Sequence, residues 1–89
     1  MINIIMIKTP NCPNCKVIEP QWNDLKERIN EQYSDKVAFF EYIVSIDNIA
    51  IKYVNLLNIK QAPSFVIEFD DDISLIKFEN IESTLLMSL

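Results

Sequence analysis

Ile2-Asn3-Ile4-Ile5-Met6-Ile7-Lys8-Thr9-Pro10-Asn11-Cys12-Pro13-Asn14-Cys15-Lys16-Val17-Ile18-Glu19-Pro20 is the stretch on which the fold turns. Its first part, Ile2 to Lys8, is short, largely apolar and rich in β-branched residues, which reads as a strand. Thr9-Pro10-Asn11 breaks that strand. From about Pro13 to Asn30 the apolar residues take helical spacing. Ile18, Trp22, Leu25 and Ile29 recur at intervals of four, three and four and so share one face. Gln21, Asp24, Lys26, Glu27 and Arg28 supply the wet side. Pro20 falls inside this segment, and because the apolar spacing continues past it a kinked helix is expected rather than one ending near Glu19.

Cys12 and Cys15 therefore sit between the end of a strand and the start of a helix. Cys12 falls at the helix N-cap, where free N–H groups and the helix dipole stabilise an anion. Such a site lowers a thiol pKa and raises the thiolate fraction near neutral pH. Thiolate is the nucleophile in disulfide exchange. Cys15, on the same face of the first turn, can attack a mixed disulfide formed at Cys12. Pro13 at the first helical position wastes no hydrogen bond. Two other readings stay open on the residues alone: a buried pair of thiols, or half of a zinc site shared across a dimer. Zinc prefers four ligands, and this chain offers two sulfurs and no imidazole.

The rest of the composition narrows the field. Eighty-nine residues suit one domain, residues 1–89, because either half alone would be too small to bury a core. The chain has no histidine, which excludes Ser-His-Asp and Cys-His catalysis. It has no glycine, which excludes the dinucleotide and Walker phosphate loops. A net charge of -5 argues against nucleic acid as a partner. No apolar run approaches the length of a membrane span. Met1 to Ile7 lacks the charged start and cleavage site of a signal peptide. The expected compartment is the cytoplasm, where a structural disulfide is disfavoured and a close cysteine pair points to catalysis or metal.

Beyond the first helix, Gln32 to Lys36 is polar, and Val37 to Val44 is a second strand. It is nearly all apolar apart from Glu41, as suits a central strand covered on both faces. Ser45 or Asp47 is placed to cap a helix running to about Leu57, with Ala50, Tyr53, Val54 and Leu57 inward. Asn58 to Ala62 is a loop, and Pro63 opens a third strand, Ser64 to Phe69. Asp70-Asp71-Asp72 turns the chain into a fourth strand, Ile73 to Phe78, returning antiparallel. Asn80 caps a last helix with Ile81, Leu85, Leu86 and Leu89 as its apolar side. The order β-α-β-α-β-β-α describes an α/β fold, a four-stranded mixed sheet flanked by helices. Sites in such folds lie at the carboxyl ends of the strands, where the cysteines fall.

The run Cys12 to Pro20 resembles the thioredoxin pattern C-x-x-C-K-x-[IL]-x-P. Leu57-Asn58-Ile59-Lys60-Gln61-Ala62-Pro63-Ser64 is similar to the thioredoxin segment Y-G-I-R-G-I-P-T, and the match continues without a gap through the hairpin to Asn80. The chain thus resembles the thioredoxin superfamily over most of its length, with a loose middle at residues 31 to 46. Within it, Thr9 to Cys15 looks like the Thr-Pro-x-Cys-Pro-x-Cys start of small archaeal proteins, glutaredoxin-like in length and thioredoxin-like in use. The resemblance implies a thioredoxin-like fold and a thiol–disulfide oxidoreductase that reduces protein disulfides, with Cys12 and Cys15 catalytic. It implies Pro13, Asn14, Ala62, Pro63 and Glu79 at the substrate, with Pro63 cis beside the cysteines and the Ala62 backbone pairing with the substrate chain as an added strand. It implies no cofactor beyond a redox-active Cys12–Cys15 disulfide, a monomer, and a thioredoxin-reductase-like electron donor. The alternatives are a glutathione-dependent glutaredoxin and a non-catalytic interaction module; the intact cysteines and Pro63 argue against the module.

Several positions depart from the pattern. Met6 stands where thioredoxins carry a buried aspartate, and Asn11 where an aromatic precedes the first cysteine. The tyrosine of the glutaredoxin motif is Asn14, and the glutaredoxin Gly-Gly pair falls at Glu79-Asn80. Family glycines align with Pro13, Asn58, Gln61, Asp71 and Glu79. Asn58 is expected to end the second helix in a left-handed conformation, and Asp71 to sit in the hairpin turn. Gln61 and Glu79 are expected to make the substrate groove narrower or more acidic and the partner set more restricted. Trp22 reads as core, Lys8 and Lys16 as solvated surface, and Glu41 as either near the site or facing solvent.

Overall fold

The computed structural model describes residues 1–89. Ile2–Lys8 is β1, and it is an interior strand of a four-stranded sheet ordered β2-β1-β3-β4. Its alternate side chains face opposite ways. Ile2, Ile4 and Met6 join the larger core cluster, which also holds Trp22, Leu25 and Ile29 of α1 (Pro13–Tyr33) and Ile81 and Leu85 of α3 (Phe78–Ser88). Ile5 and Ile7 join a smaller cluster with Tyr53 of α2 (Asn48–Leu57) and Val66 of β3 (Ser64–Phe69). A strand buried on both faces has no side left for polar residues, which is why its sequence is a nearly unbroken apolar run.

β2 (Val37–Ile43) runs parallel to β1, while β3 and then β4 (Asp72–Ile76) are antiparallel. Here the structure corrects the sequence reading: β2 is an edge strand, not a central one. Its apolar residues are explained by its faces. Phe39 packs edge-on to Trp22, with ring centroids 5.5 Å apart. On the other face Phe40 stacks on Tyr42 and Tyr42 on Tyr53. One lateral edge of the strand nevertheless remains open, and Phe40 is 39% exposed.

α1 runs through Pro20 and ends at Tyr33, three residues beyond the expected Asn30. The burial of Trp22, Leu25 and Ile29 beyond the proline outweighs the hydrogen bond Pro20 cannot donate, and Tyr33 packs against the same cluster. Trp22 is fully buried, as its reading as core requires. Asp47 is the N-cap of α2, but its carboxylate accepts from the Ile43 N–H at 2.8 Å instead of capping the helix. Asn58 ends α2 in the left-handed conformation, φ 53° and ψ 48°, with its N–H on the Val54 carbonyl, as expected.

Asp71 sits in the hairpin turn, as expected, and the positive φ of that turn belongs to its neighbour Asp70. Two details near the C-terminus differ from expectation. β4 stops at Ile76, and α3 starts at Phe78 with Lys77 as N-cap, rather than at Asn80. The Phe78 ring packs on Phe65 with centroids 5.2 Å apart, which draws Phe78 inward and into the helix. Ile81 and Leu85, one turn apart, are then the buried pair, and Leu86 and Leu89 lie exposed.

Polar groups tie the elements together. Glu68 accepts from Asn3 at 2.9 Å and from the Tyr53 hydroxyl at 3.3 Å. Burial, then the Glu68 charge, hold the Tyr53 phenol above its ordinary pKa. Arg28 donates to both carboxylate oxygens of Glu82 at 3.1 and 3.0 Å, linking α1 to α3, and also pairs with Asp24. Glu41 bridges Lys8 at 3.0 Å and Lys26 at 3.2 Å, linking β2 to β1 and α1. Burial pushes the Glu41 carboxyl up, but attraction to Lys8, Trp22 and Lys26 together outweighs it and holds the group below the usual glutamate range. The Trp22 indole N–H is buried without a partner at hydrogen-bonding geometry, so its pull on Glu41 acts at longer range.

Two outcomes are expected. A residue with a Cβ and no local hydrogen-bonding side chain is disfavoured in the left-handed region by about 1–2 kcal/mol. Asn58→Ala should therefore lower unfolding free energy by about 1 kcal/mol, whereas Asn58→Gly should stay within about 0.5 kcal/mol of wild type, read from urea midpoints. Because the folded Glu41 carboxyl sits low, its contribution to stability is full above the unfolded carboxyl pKa of about 4.3 and is lost as pH falls through the lower folded value. The stability gap between wild type and Glu41→Gln should be present at pH 7 and close below about pH 4 in thermal unfolding.

Candidate active site

β1 ends at Lys8, and three residues carry the chain over the top of the sheet. Asn11 makes the last of them possible: it holds φ 54°, a region asparagine enters more readily than most residues. Cys12 follows as N-cap in an extended conformation, and Pro13 opens α1. The Cys12 Sγ accepts the Cys15 N–H at 3.1 Å. This is the capping position ordinarily filled by a serine or aspartate oxygen, so a sulfur anion there meets a free helix N–H and the positive end of the dipole.

Cys12 and Cys15 are joined as a disulfide, with Cα atoms 5.2 Å apart. Both sulfur residues belong to the large core cluster, Cys12 at 8% exposure and Cys15 at 5%. Cys12 reaches a surface hollow and Cys15 does not line it. No polar or charged residue is fully buried anywhere in the chain, so none is buried beside the pair. Met6 shares the cluster with the cysteines, and Glu41 is its register partner on β2. Glu41 thus lies on the cysteine face of the sheet, already engaged by Lys8 and Lys26. Lys8 is therefore an ion-pair partner rather than free surface, while Lys16 is exposed.

The second element of the site arrives from residues 58 to 64. The Ala62–Pro63 peptide bond is cis. The Ser64 hydroxyl donates to the Gln61 carbonyl at 2.6 Å, closing the loop just before β3. Ala62 packs against the cluster that contains both cysteines. Segments fifty residues apart are thereby brought to one end of the sheet.

Two surface hollows flank this junction, and Gln61 lines both. The first, a cavity of about 410 Å³, holds Cys12, Pro13, Asn14 and Ala62. The second, about 510 Å³, holds Pro63, Phe65, Lys77 and Glu79. The residues proposed from sequence are thus divided between two hollows, with Glu79 in the one that lacks Cys12. There Glu79 lies with Lys77, so that hollow carries one charge of each sign. Sequence reading missed the apolar floor of the first hollow, Ile7, Val44, Val54 and Ile59, and its one charged group, Lys60. Ile7, Val44 and Val54 read as ordinary strand and helix interior, and only the three-dimensional meeting of four segments makes them a surface.

Chemically, the site offers a surface-reaching sulfur at a helix N-terminus, a second sulfur one turn deeper, and a hollow that admits another molecule to the first. No three His, Cys, Asp or Glu side chains gather as a metal site. No helix is long and apolar enough to cross a membrane.

No family model and no curated protein matches this sequence. Solved structures do match. The thioredoxin f2 of Chlamydomonas reinhardtii is 19% identical with a TM-score of 0.64, over 98% of this chain and 78% of that one. Thioredoxin f2 in its complex with ferredoxin:thioredoxin reductase is 22% identical with a TM-score of 0.67, over 98% and 76%. The Fasciola hepatica thioredoxin is 20% identical with a TM-score of 0.68, over 97% and 79%. With the element order, the mixed sheet and the strand–Cys12–Cys15–helix junction, these likenesses establish that the chain has the thioredoxin fold.

Proposed function

We propose that this protein is a thiol–disulfide oxidoreductase that reduces protein disulfides by dithiol exchange through Cys12 and Cys15. The observation that carries the reading is the Cys12 Sγ at the N-cap of α1, 3.1 Å from the Cys15 N–H and open to a hollow. The disulfide form described above is the oxidised end of the cycle. In the reduced form, the Cys12 thiolate attacks one sulfur of the substrate disulfide. A Cys12–substrate bond forms, the substrate bond breaks, and the departing thiolate takes a proton from water. Cys15 then gives its proton to water and attacks the Cys12 Sγ, expelling the second substrate thiolate. Two thiols of this protein become one disulfide while one substrate disulfide becomes two thiols, a transfer of two electrons.

Ala62, which lines the same hollow as Cys12, Pro13 and Asn14, offers backbone to an extended substrate segment, and cis Pro63 follows it in the chain. The Cys12–Cys15 pair is the redox group, with no further cofactor. The electron donor is a thioredoxin-reductase-like protein. Support comes from the similar thioredoxin f2, which occurs in a complex with ferredoxin:thioredoxin reductase. Glutathione is the competing donor, and its carboxylates would meet both Glu79 and Lys77 in the neighbouring hollow.

Three measurements test the reading. The wild type should accelerate dithiothreitol-driven reduction of insulin, and Cys12→Ser should return the rate to the uncatalysed background; no acceleration by wild type would sink the proposal. Cys15→Ser should accumulate a mixed disulfide with the substrate, visible on a non-reducing gel and released by dithiothreitol. Recycling should be faster with a thioredoxin reductase than with glutathione and its reductase, and the opposite order would move the protein to the glutaredoxin reading.

A further inference from the structure

The edge strand β2 is open along only part of its length, and the open part is symmetrical. In a parallel pair each residue's N–H and C=O point to one side, and the side alternates along the strand. The Ile2 N–H donates to the Lys36 carbonyl at 2.9 Å, and the Val44 N–H to the Lys8 carbonyl at 2.8 Å. Even-numbered residues of β2 therefore face β1, and Val37, Phe39, Glu41 and Ile43 turn their backbone groups outward. Ile43 is already engaged. Its N–H donates to the Asp47 carboxylate at 2.8 Å, and its carbonyl accepts from Ile46 and Asp47 at 3.1 and 2.8 Å. Below the strand, the turn is closed by the Lys36 N–H on the Tyr33 carbonyl at 2.9 Å. The free backbone groups are those of Val37, Phe39 and Glu41, evenly placed about Phe39.

This edge lacks the devices that keep a sheet edge single. From Val37 to Ile43 it holds no proline and no lysine, and its register with β1 is unbroken by a bulge. Its one charge, Glu41, is matched by Lys8 and Lys26. The opposite edge, β4, is shorter and begins at the last of the successive aspartates Asp70, Asp71 and Asp72.

We infer that β2 pairs with β2 of a second copy, antiparallel about a twofold axis at Phe39, making a dimer with one continuous sheet. A second copy is the occupant because the free groups are symmetrical about one residue, the condition that an isologous contact requires. This register sets Phe39 opposite itself and Val37 opposite Glu41, so about six hydrogen bonds form between the copies and no free group is left over. A register displaced toward Ile43 would meet groups already spent on Ile46 and Asp47. Ala38 then lies opposite Phe40 of the second copy, in a non-hydrogen-bonded pair where side chains come closest. Ala38 is small enough to leave room for that ring, which is 39% exposed in the single chain and stacks on Tyr42 of its own strand. Because β2 is parallel to β1, the two Cys12 sites lie at opposite ends of the joined sheet, clear of the axis. The inference is independent of the oxidoreductase reading, and it replaces the monomer that the resemblance implies.

The test is sedimentation equilibrium of wild type from about 1 µM to about 1 mM, with amide hydrogen exchange read by NMR at both ends of that range. A strand pair buries less than the roughly 1,600 Å² of a standard interface, so the dimer should form at high concentration and dissociate on dilution. The mass should rise from the 10.4 kDa of one chain toward twice that value and stop there. The Phe39 and Glu41 amides should exchange several-fold more slowly at the high end, while the outer edge of β4 should not change. Glu41→Pro removes an N–H that only the second copy would use and should abolish the dimer, whereas Glu41→Gln keeps that N–H and should retain it. A single-chain mass at the highest concentration, or growth beyond two copies, would overturn the inference. So would a dimer whose Phe39 and Glu41 amides still exchange freely, or equal association by the two folded variants. Where Glu41→Pro does not fold, the wild-type exchange rates decide alone.

Discussion

Ile4 and Met6 on one face of β1, and Ile5 and Ile7 on the other, are each within about 1% of complete burial. A strand so placed must be covered from both sides and paired along both edges. β2 and β3 supply the edges, α1 and α3 one cover, α2 the other. The chain has only three residues between the end of β1 at Lys8 and the N-cap Cys12 to leave the sheet, turn and come back, namely Thr9, Pro10 and Asn11. The N-terminus of α1 is thereby held at the carboxyl end of β1. Cys12 occupies the cap of that helix because of where β1 ends, and Trp22, nearly three turns further, anchors the helix between Phe39 and Phe65.

The same burial defines the electrostatics around the sulfurs. Their surroundings are apolar, and Glu41, an acid on their face of the sheet, is kept ionised by two lysines. A carboxylate whose pKa is depressed is a poor proton acceptor near neutral pH. Under the proposed function, stabilisation of a Cys12 thiolate then falls to the helix N–H groups and dipole. Met6, the β1 residue in the cysteines' cluster, carries no acid, and no polar or charged side chain is fully buried beside it.

Much of this was legible in the sequence, because the informative signals were local. The break after Lys8, the helical spacing from Ile18 to Ile29, the cysteines at the junction and the left-handed Asn58 each depend on a few neighbouring residues. What was not legible depends on residues far apart. An apolar run such as Val37 to Ile43 reports that both faces are covered, but not whether a further strand lies alongside, so β2 read as central and proved to be an edge. Phe78 continued a strand by propensity, and only its meeting with Phe65 turned it into α3. Either of two adjacent aspartates could take the positive φ of the hairpin, and composition does not choose between them. The hollow beside Cys12 was invisible for the same reason, since its floor assembles from four separated segments.

The backbone without glycine has a thermodynamic consequence. Four residues, Asn11, Ser45, Asn58 and Asp70, hold positive φ with a side chain attached. Each such turn costs the folded state on the order of 1 kcal/mol, somewhat less where asparagine or aspartate bonds locally. Yet every position that is not glycine also narrows the unfolded ensemble, by roughly 0.4–1 kcal/mol relative to glycine. The disordered chain of this protein is stiffer than that of an ordinary chain of its length, so folding surrenders less backbone freedom. Its sharp turns are held by restricting the alternatives open to the unfolded chain as well as by contacts in the native one.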